Sequence, residues 1–97
     1  MKALIIYNPT AGLTVKSDIK LQTEKKLISA GYEILVLQLN DLFEEEIARV
    51  DLSGLALIVA IGGDGTIKVA AREIINRRLN VPLLVVPFGS ANVLALS

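Results

Sequence analysis

The 97-residue chain has ten basic and ten acidic residues, hence zero formal charge, with 53% apolar and 21% charged content. That balance fits one folded unit, excludes a disordered chain and leaves non-specific nucleic-acid binding without an electrostatic basis. Cysteine and histidine are absent, which excludes disulfides, thiolate zinc sites and the commonest general base. Any chemistry must therefore rest on carboxylates, hydroxyls and backbone amides, with or without a bound Mg²⁺. The mean hydropathy of +0.57 is high for so short a chain, and some of that apolar surface is expected to meet a partner. The longest wholly apolar run, Leu55 to Ile61, falls far short of the ~20 residues of a membrane span. No signal peptide is expected, because Met1-Lys2 leads directly into a strand-like run.

In chain order, residues 3–7 read as a buried strand ended by the turn signal Asn8-Pro9. A helix is expected from about Thr14 to Ala30, with Ile19, Thr23, Leu27 and Ala30 on one face and Gly31 as its stop. Tyr32 to Leu39 reads as a strand near the sheet edge, because Glu33 and Gln38 are polar. Asn40 or Asp41 is placed to cap a short helix reaching about Val50, with Glu44, Glu45 and Glu46 near its N-terminus. Leu55 to Ile61 is the most apolar strand and is expected to be central. Gly62-Gly63-Asp64-Gly65 follows, then a helix from about Thr66 to Leu79. Its apolar stripe is Ile67, Ala70, Ala71 and Ile74, with Lys68, Arg72, Glu73 and Arg77 facing outward. Val81 to Val86 is a fourth strand ended by Pro87, and Ser90 is placed to cap a last helix.

Strand and helix alternate without repeats or linkers. Runs apolar on both faces suit parallel strands covered by helices, and right-handed crossovers then give a three-layer α/β/α sandwich. The expected sheet has about four parallel strands in the order 2-1-3-4.

In such a sheet the strand-to-helix loops all lie at the strands' C-terminal edge, where open α/β sheets bind ligands. Three loops there combine small residues with a hydroxyl or amide: Asn8-Pro9-Thr10-Ala11-Gly12, Gly62-Gly63-Asp64-Gly65-Thr66, and residues 87–92. Small residues let backbone N–H groups approach a phosphate, and helix N-termini add about half a positive charge. Each loop taken singly can also be read as a tight turn. Three glycines in four positions argue against that for the second loop, since they cost backbone entropy without improving packing. Asp64 sharpens the reading. A carboxylate is repelled by a phosphate charge by about 4 kcal/mol at ~4 Å and an effective dielectric near 20. Such placement suits either Mg²⁺ bridging the charges or a base facing an acceptor hydroxyl. No Gly-x-Gly-x-x-Gly or Walker A pattern is present.

Asn8 to Gly12, then Gly62 to Thr66, then Pro87-Phe88-Gly89-Ser90-Ala91-Asn92-Val93-Leu94-Ala95 stand in the order seen in the diacylglycerol kinase family, which includes bacterial lipid kinases and the sphingosine and ceramide kinases. The chain resembles that family over essentially its whole length. The resemblance implies an N-terminal nucleotide-binding lobe over residues 1–97, followed in relatives by a β-rich domain that holds much of the lipid site. It implies transfer of the ATP γ-phosphate to a lipid hydroxyl, with inactivity expected for this lobe alone. It also implies a nucleotide site of Asn8, Pro9, Thr10, Ala11, Gly12, Gly62, Gly63, Asp64, Gly65, Thr66, Gly89, Ser90 and Asn92. Asp64 is the expected catalytic residue and a candidate Mg²⁺ ligand together with the ATP phosphates. ATP and a lipid acceptor are the implied partners, without nucleic acid. The implied location is cytoplasmic, peripheral at the membrane for the full-length protein, and self-association is expected.

The chain departs from the family pattern in places. Val69 stands where glutamate is usual, Ser90 and Val93 replace a threonine and an aspartate, and Leu39 replaces a nucleotide-contacting threonine. These changes bear on nucleotide affinity more than on fold. NAD kinase shares Gly-Gly-Asp-Gly and is the nearest enzyme alternative, but Asn8-Pro9 and Gly89 to Asn92 favour the lipid-kinase pattern. A non-catalytic nucleotide-binding or interaction module is the alternative of a different class.

Overall fold

The computed structural model describes residues 1–8 and 14–87. The elements run β1 (Lys2–Tyr7), α1 (Thr14–Ser29), β2 (Glu33–Gln38), α2 (Phe43–Arg49), β3 (Leu55–Gly62), α3 (Asp64–Asn76) and β4 (Leu83–Pro87). The four strands form one all-parallel sheet in the order β2-β1-β3-β4, which is the expected order.

Strand alternation divides the core into two. On one face, Ala3, Ile5, Tyr7, Val59, Ile61 and Val86 pack with Leu27 of α1. On the other, Leu4, Ile6, Leu37, Ile58 and Ala60 pack with Phe43 and Ile47 of α2 and Ala70 of α3. Burying both faces of β1 and β3 requires a helical layer on each side, so the three-layer sandwich follows from the two apolar runs. The polar ends of β2 are tolerated because it borders the sheet, where Glu33 and Gln38 are exposed.

The helix ends are set by local chemistry. After α1, Gly31 takes φ +93°. Its N–H donates to Ile28 and that of Tyr32 to Leu27, both at 3.0 Å, the paired bonds of a Schellman stop. Ala30 lies beyond the helix and is exposed, so the apolar stripe of α1 ends at Leu27. The end of α3 repeats the motif, with the Arg78 N–H donating to Ile75 and the Leu79 N–H to Ile74. Here the left-handed position is occupied by Arg78 at φ +54°, and α3 stops at Asn76, short of the expected Leu79. At α2 the Asn40 side chain accepts the Leu42 N–H at 2.9 Å. Leu42, with no side-chain cap bond, is the capping residue, so Asn40 shapes the turn before the helix.

The outward placement expected for Glu73 is wrong. Its side chain is only 5% exposed and accepts from Arg77 Nε at 2.7 Å, with Arg72 3.6 Å away. An i,i+4 arginine that folds back over the carboxylate compensates its burial.

Candidate functional site

The register of the parallel strands aligns their C-terminal ends. Tyr7 pairs with Ile61 and Gly62 with Pro87, while the Asn8 N–H donates to the Ile61 carbonyl at 3.2 Å. Asn8, Gly62 and Pro87 thus end their strands side by side, and the chain leaves β1, β3 and β4 at one edge. Sequence alone anticipated that convergence. Asn8 and Gly62 through Thr66 fall within the described residues. Pro9, Thr10, Ala11, Gly12, Gly89, Ser90 and Asn92 lie outside them.

α3 begins at Asp64, two residues earlier than expected. Gly63, extended at φ −93° and ψ −163°, is the capping residue and supplies no side-chain bond. Its carbonyl accepts the N–H groups of Thr66 and Ile67 at 3.1 and 3.2 Å. Asp64 therefore stands in the first turn of the helix and is the acidic residue there. Gly63, Asp64 and Gly65 are exposed, and a β-carbon at Gly63 or Gly65 would meet nothing within 4 Å. The result is an open helix N-terminus whose first-turn amides lack a side-chain cap, a geometry suited to an anionic oxygen group.

Beneath this surface the packing is tight. Thr66 is fully buried, and its Oγ1 has no hydrogen-bond partner among the described residues. A β-carbon at Gly62 would lie 2.4 Å from that oxygen, 3.0 Å from Thr66 Cβ and 3.3 Å from Asn8 Cβ. Gly62 is thus required by close approach of α3 and the end of β1, a role distinct from that of the two exposed glycines. Sequence reasoning grouped all three with Thr66 as one phosphate-contacting run. Nothing in the local sequence distinguishes a threonine facing a ligand from one buried under the turn.

No cluster of three or more histidine, cysteine, aspartate or glutamate side chains that could hold a metal occurs among the described residues. An apolar groove of about 230 Å³, lined by Ile19, Leu27, Leu84 and Val86 among others, lies on the α1 face of the sheet. The open terminus of α3 belongs to the opposite helical layer. Lys20, paired with Glu24 at 2.6 Å, also sits 5.7 Å from the centroid of the Tyr7 ring. This places a cation beside the last residue of β1 that the sequence reading did not single out.

A four-stranded, all-parallel sheet between helical layers, with a glycine-rich turn at the C-terminal edge of β3, defines a three-layer α/β domain. The diacylglycerol kinase catalytic domain model matches residues 2–97, and the chain belongs to that family. It is also 34% identical over 95 residues to diacylglycerol kinases from two strains of Staphylococcus epidermidis. That alignment covers 94% of the chain but 29% of the relatives' own length. No solved structure matches it significantly.

Proposed function

We propose that these residues form the ATP-binding lobe of a lipid kinase, which transfers the ATP γ-phosphate to a lipid hydroxyl and is inactive without a second, lipid-binding domain. The observation that carries the reading is the uncapped, exposed terminus of α3 at Gly63, Asp64 and Gly65, placed beside the ends of β1 and β4. The share of the relatives' length covered favours a lobe over a complete catalytic unit, and family membership favours ATP as donor.

The residues present fit a nucleotide polyphosphate. In this reading the amides of Gly63, Asp64 and Gly65 take phosphate oxygens and Asn8 adds to the cradle from the end of β1, while Pro9, Thr10, Ala11, Gly12, Gly89, Ser90 and Asn92 are assigned to the nucleotide by sequence. Thr66 supports the cradle from below. Bound ATP would supply the phosphoryl group, and Mg²⁺ would offset the repulsion between its phosphates and the Asp64 carboxylate. Asp64 would serve as the protein ligand of a Mg²⁺ shared with the ATP phosphates, or as the base toward the acceptor hydroxyl.

Titration with MgATP tests the reading. Amide resonances of Gly63, Gly65 and Asn8 should move, and those of the Asp51–Ser53 turn should not. Unmoved site resonances at millimolar nucleotide would refute it. Replacing Asp64 by Asn separates the two roles of the carboxylate: loss of the Mg²⁺ requirement for nucleotide binding identifies a metal ligand. Unchanged binding, with phosphate transfer lost when a lipid-binding domain is supplied, identifies a base.

A further inference from the structure

The Thr66 hydroxyl is an unusual feature of the described residues. It is the one buried side-chain polar atom there without a hydrogen-bond partner, and folded proteins seldom leave such a group unpaired, because desolvation goes uncompensated. It lies on the third residue of α3. The position a Gly62 β-carbon would take is 2.4 Å from Thr66 Oγ1 and 3.3 Å from Asn8 Cβ. The oxygen therefore fills the wedge where β1 and β3 end, beneath the open terminus of α3. Since the atom is shut off from solvent, a ligand above the loop cannot touch it. It can act only through its neighbours, and of the two residues that would crowd a Gly62 β-carbon, Thr66 and Asn8, Asn8 carries a side-chain carbonyl acceptor.

We infer that Thr66 is a positioning residue: when an anionic ligand occupies the α3 terminus, its hydroxyl donates to the Asn8 side-chain carbonyl and latches the end of β1 against the Gly62 turn. The inference rests on the nucleotide-site reading above and adds a coupling between two of its loops. An unpaired donor is then a cost of the ligand-free state that binding removes, so affinity and resting stability pull in opposite directions at this residue.

Thr66→Val and Thr66→Ser in the 97-residue chain test this, through thermal melting without ligand and MgATP binding by calorimetry. Val keeps the shape and deletes the hydroxyl; it should melt above the parent yet bind about tenfold more weakly, the factor of one lost hydrogen bond. Ser keeps the hydroxyl and loses a methyl group; it should melt lower and bind within about twofold of the parent. Asn8→Ala should weaken binding at least as much as Thr66→Val, because it removes the latch together with the contribution of Asn8 to the cradle. The double variant should lose less than the sum of the two single losses, since they share the latch contact. A Val variant that melts no higher overturns the premise of an unpaired donor, whatever the nucleotide result. One that melts higher but binds as the parent does overturns the latch alone and leaves the nucleotide reading standing. A parent that binds no MgATP overturns both.

Discussion

Replacing Gly62 by alanine probes the junction on which the candidate site rests. The new β-carbon would sit 2.4 Å from Thr66 Oγ1 and 3.0 Å from Thr66 Cβ, with Asn8 Cβ at 3.3 Å. Thr66 has no room to yield, because its side chain is fully buried on a helix already packed against the sheet. Overpacking of this kind costs about 1–3 kcal/mol, and holding alanine at the φ of +156° adds about 1–3 kcal/mol. The total, about 2–6 kcal/mol, is a large share of the ~5–15 kcal/mol that stabilises a typical domain. At about 4–8 °C per kcal/mol for a domain of this size, the melting temperature followed by circular dichroism should fall by at least ~8 °C. Combining the change with Thr66→Ala removes the hydroxyl and one methyl from the wedge and should recover part of the packing cost, leaving the backbone cost and the 3.0 Å approach to the β-carbon of residue 66. Alanine at Gly65, where a β-carbon meets open space, provides the control. It lies in the first turn of α3 and should stabilise the ligand-free chain by about 0.4–1 kcal/mol. A Gly62→Ala chain that melts within ~2 °C of the parent would refute the close-approach argument.

Three further perturbations test the frame around the site. Arg78→Gly should raise stability by up to about 1 kcal/mol in urea unfolding, because Arg78 occupies the left-handed stop of α3 at φ +54°, where glycine carries no β-carbon penalty. Arg77→Ala strips the 2.7 Å partner from the buried Glu73 carboxylate and should cost about 1–3 kcal/mol, below the range for fully buried pairs because Arg77 remains partly in water. At the turn before β3, the Ser53 hydroxyl and N–H donate to Asp51 Oδ1 at 2.6 and 3.0 Å. These bonds, the hydroxyl first, hold the Asp51 carboxyl below its ordinary value of 3.8, with the positive charge of Lys2 adding to them. A carboxyl depressed by folding stabilises the fold above its unfolded value and loses that contribution as pH falls through the folded one. Ser53→Ala should therefore lower the urea midpoint at neutral pH, and the difference should vanish on acidification well below 3.8; a pH-independent difference would point to packing.

Much of this architecture was determined by the sequence itself. Two strands apolar on both faces, residues 3–7 and 55–61, demand helices above and below, and right-handed crossovers then restrict the order of four parallel strands. Gly31 marked the end of α1 because only a left-handed residue closes a Schellman stop cheaply. The shared edge of the strand-to-helix loops follows from parallel topology, so Asn8 and Gly62 through Thr66 were legible as neighbours although 54 positions separate Asn8 from Gly62. Tertiary structure decided which side of that edge each residue occupies. The start of α3 moved to Asp64 because Gly63, without a side chain, was sufficient as its cap, whereas propensity favours a hydroxyl or carboxylate there. Thr66 went beneath the turn because α3 approaches the ends of β1 and β3 closely enough to require a bare Gly62. Glu73 went inward because Arg77, one turn later, could cover its charge. Periodicity records which residues share a helix face, but how deep that face sinks depends on distances between elements far apart in the chain.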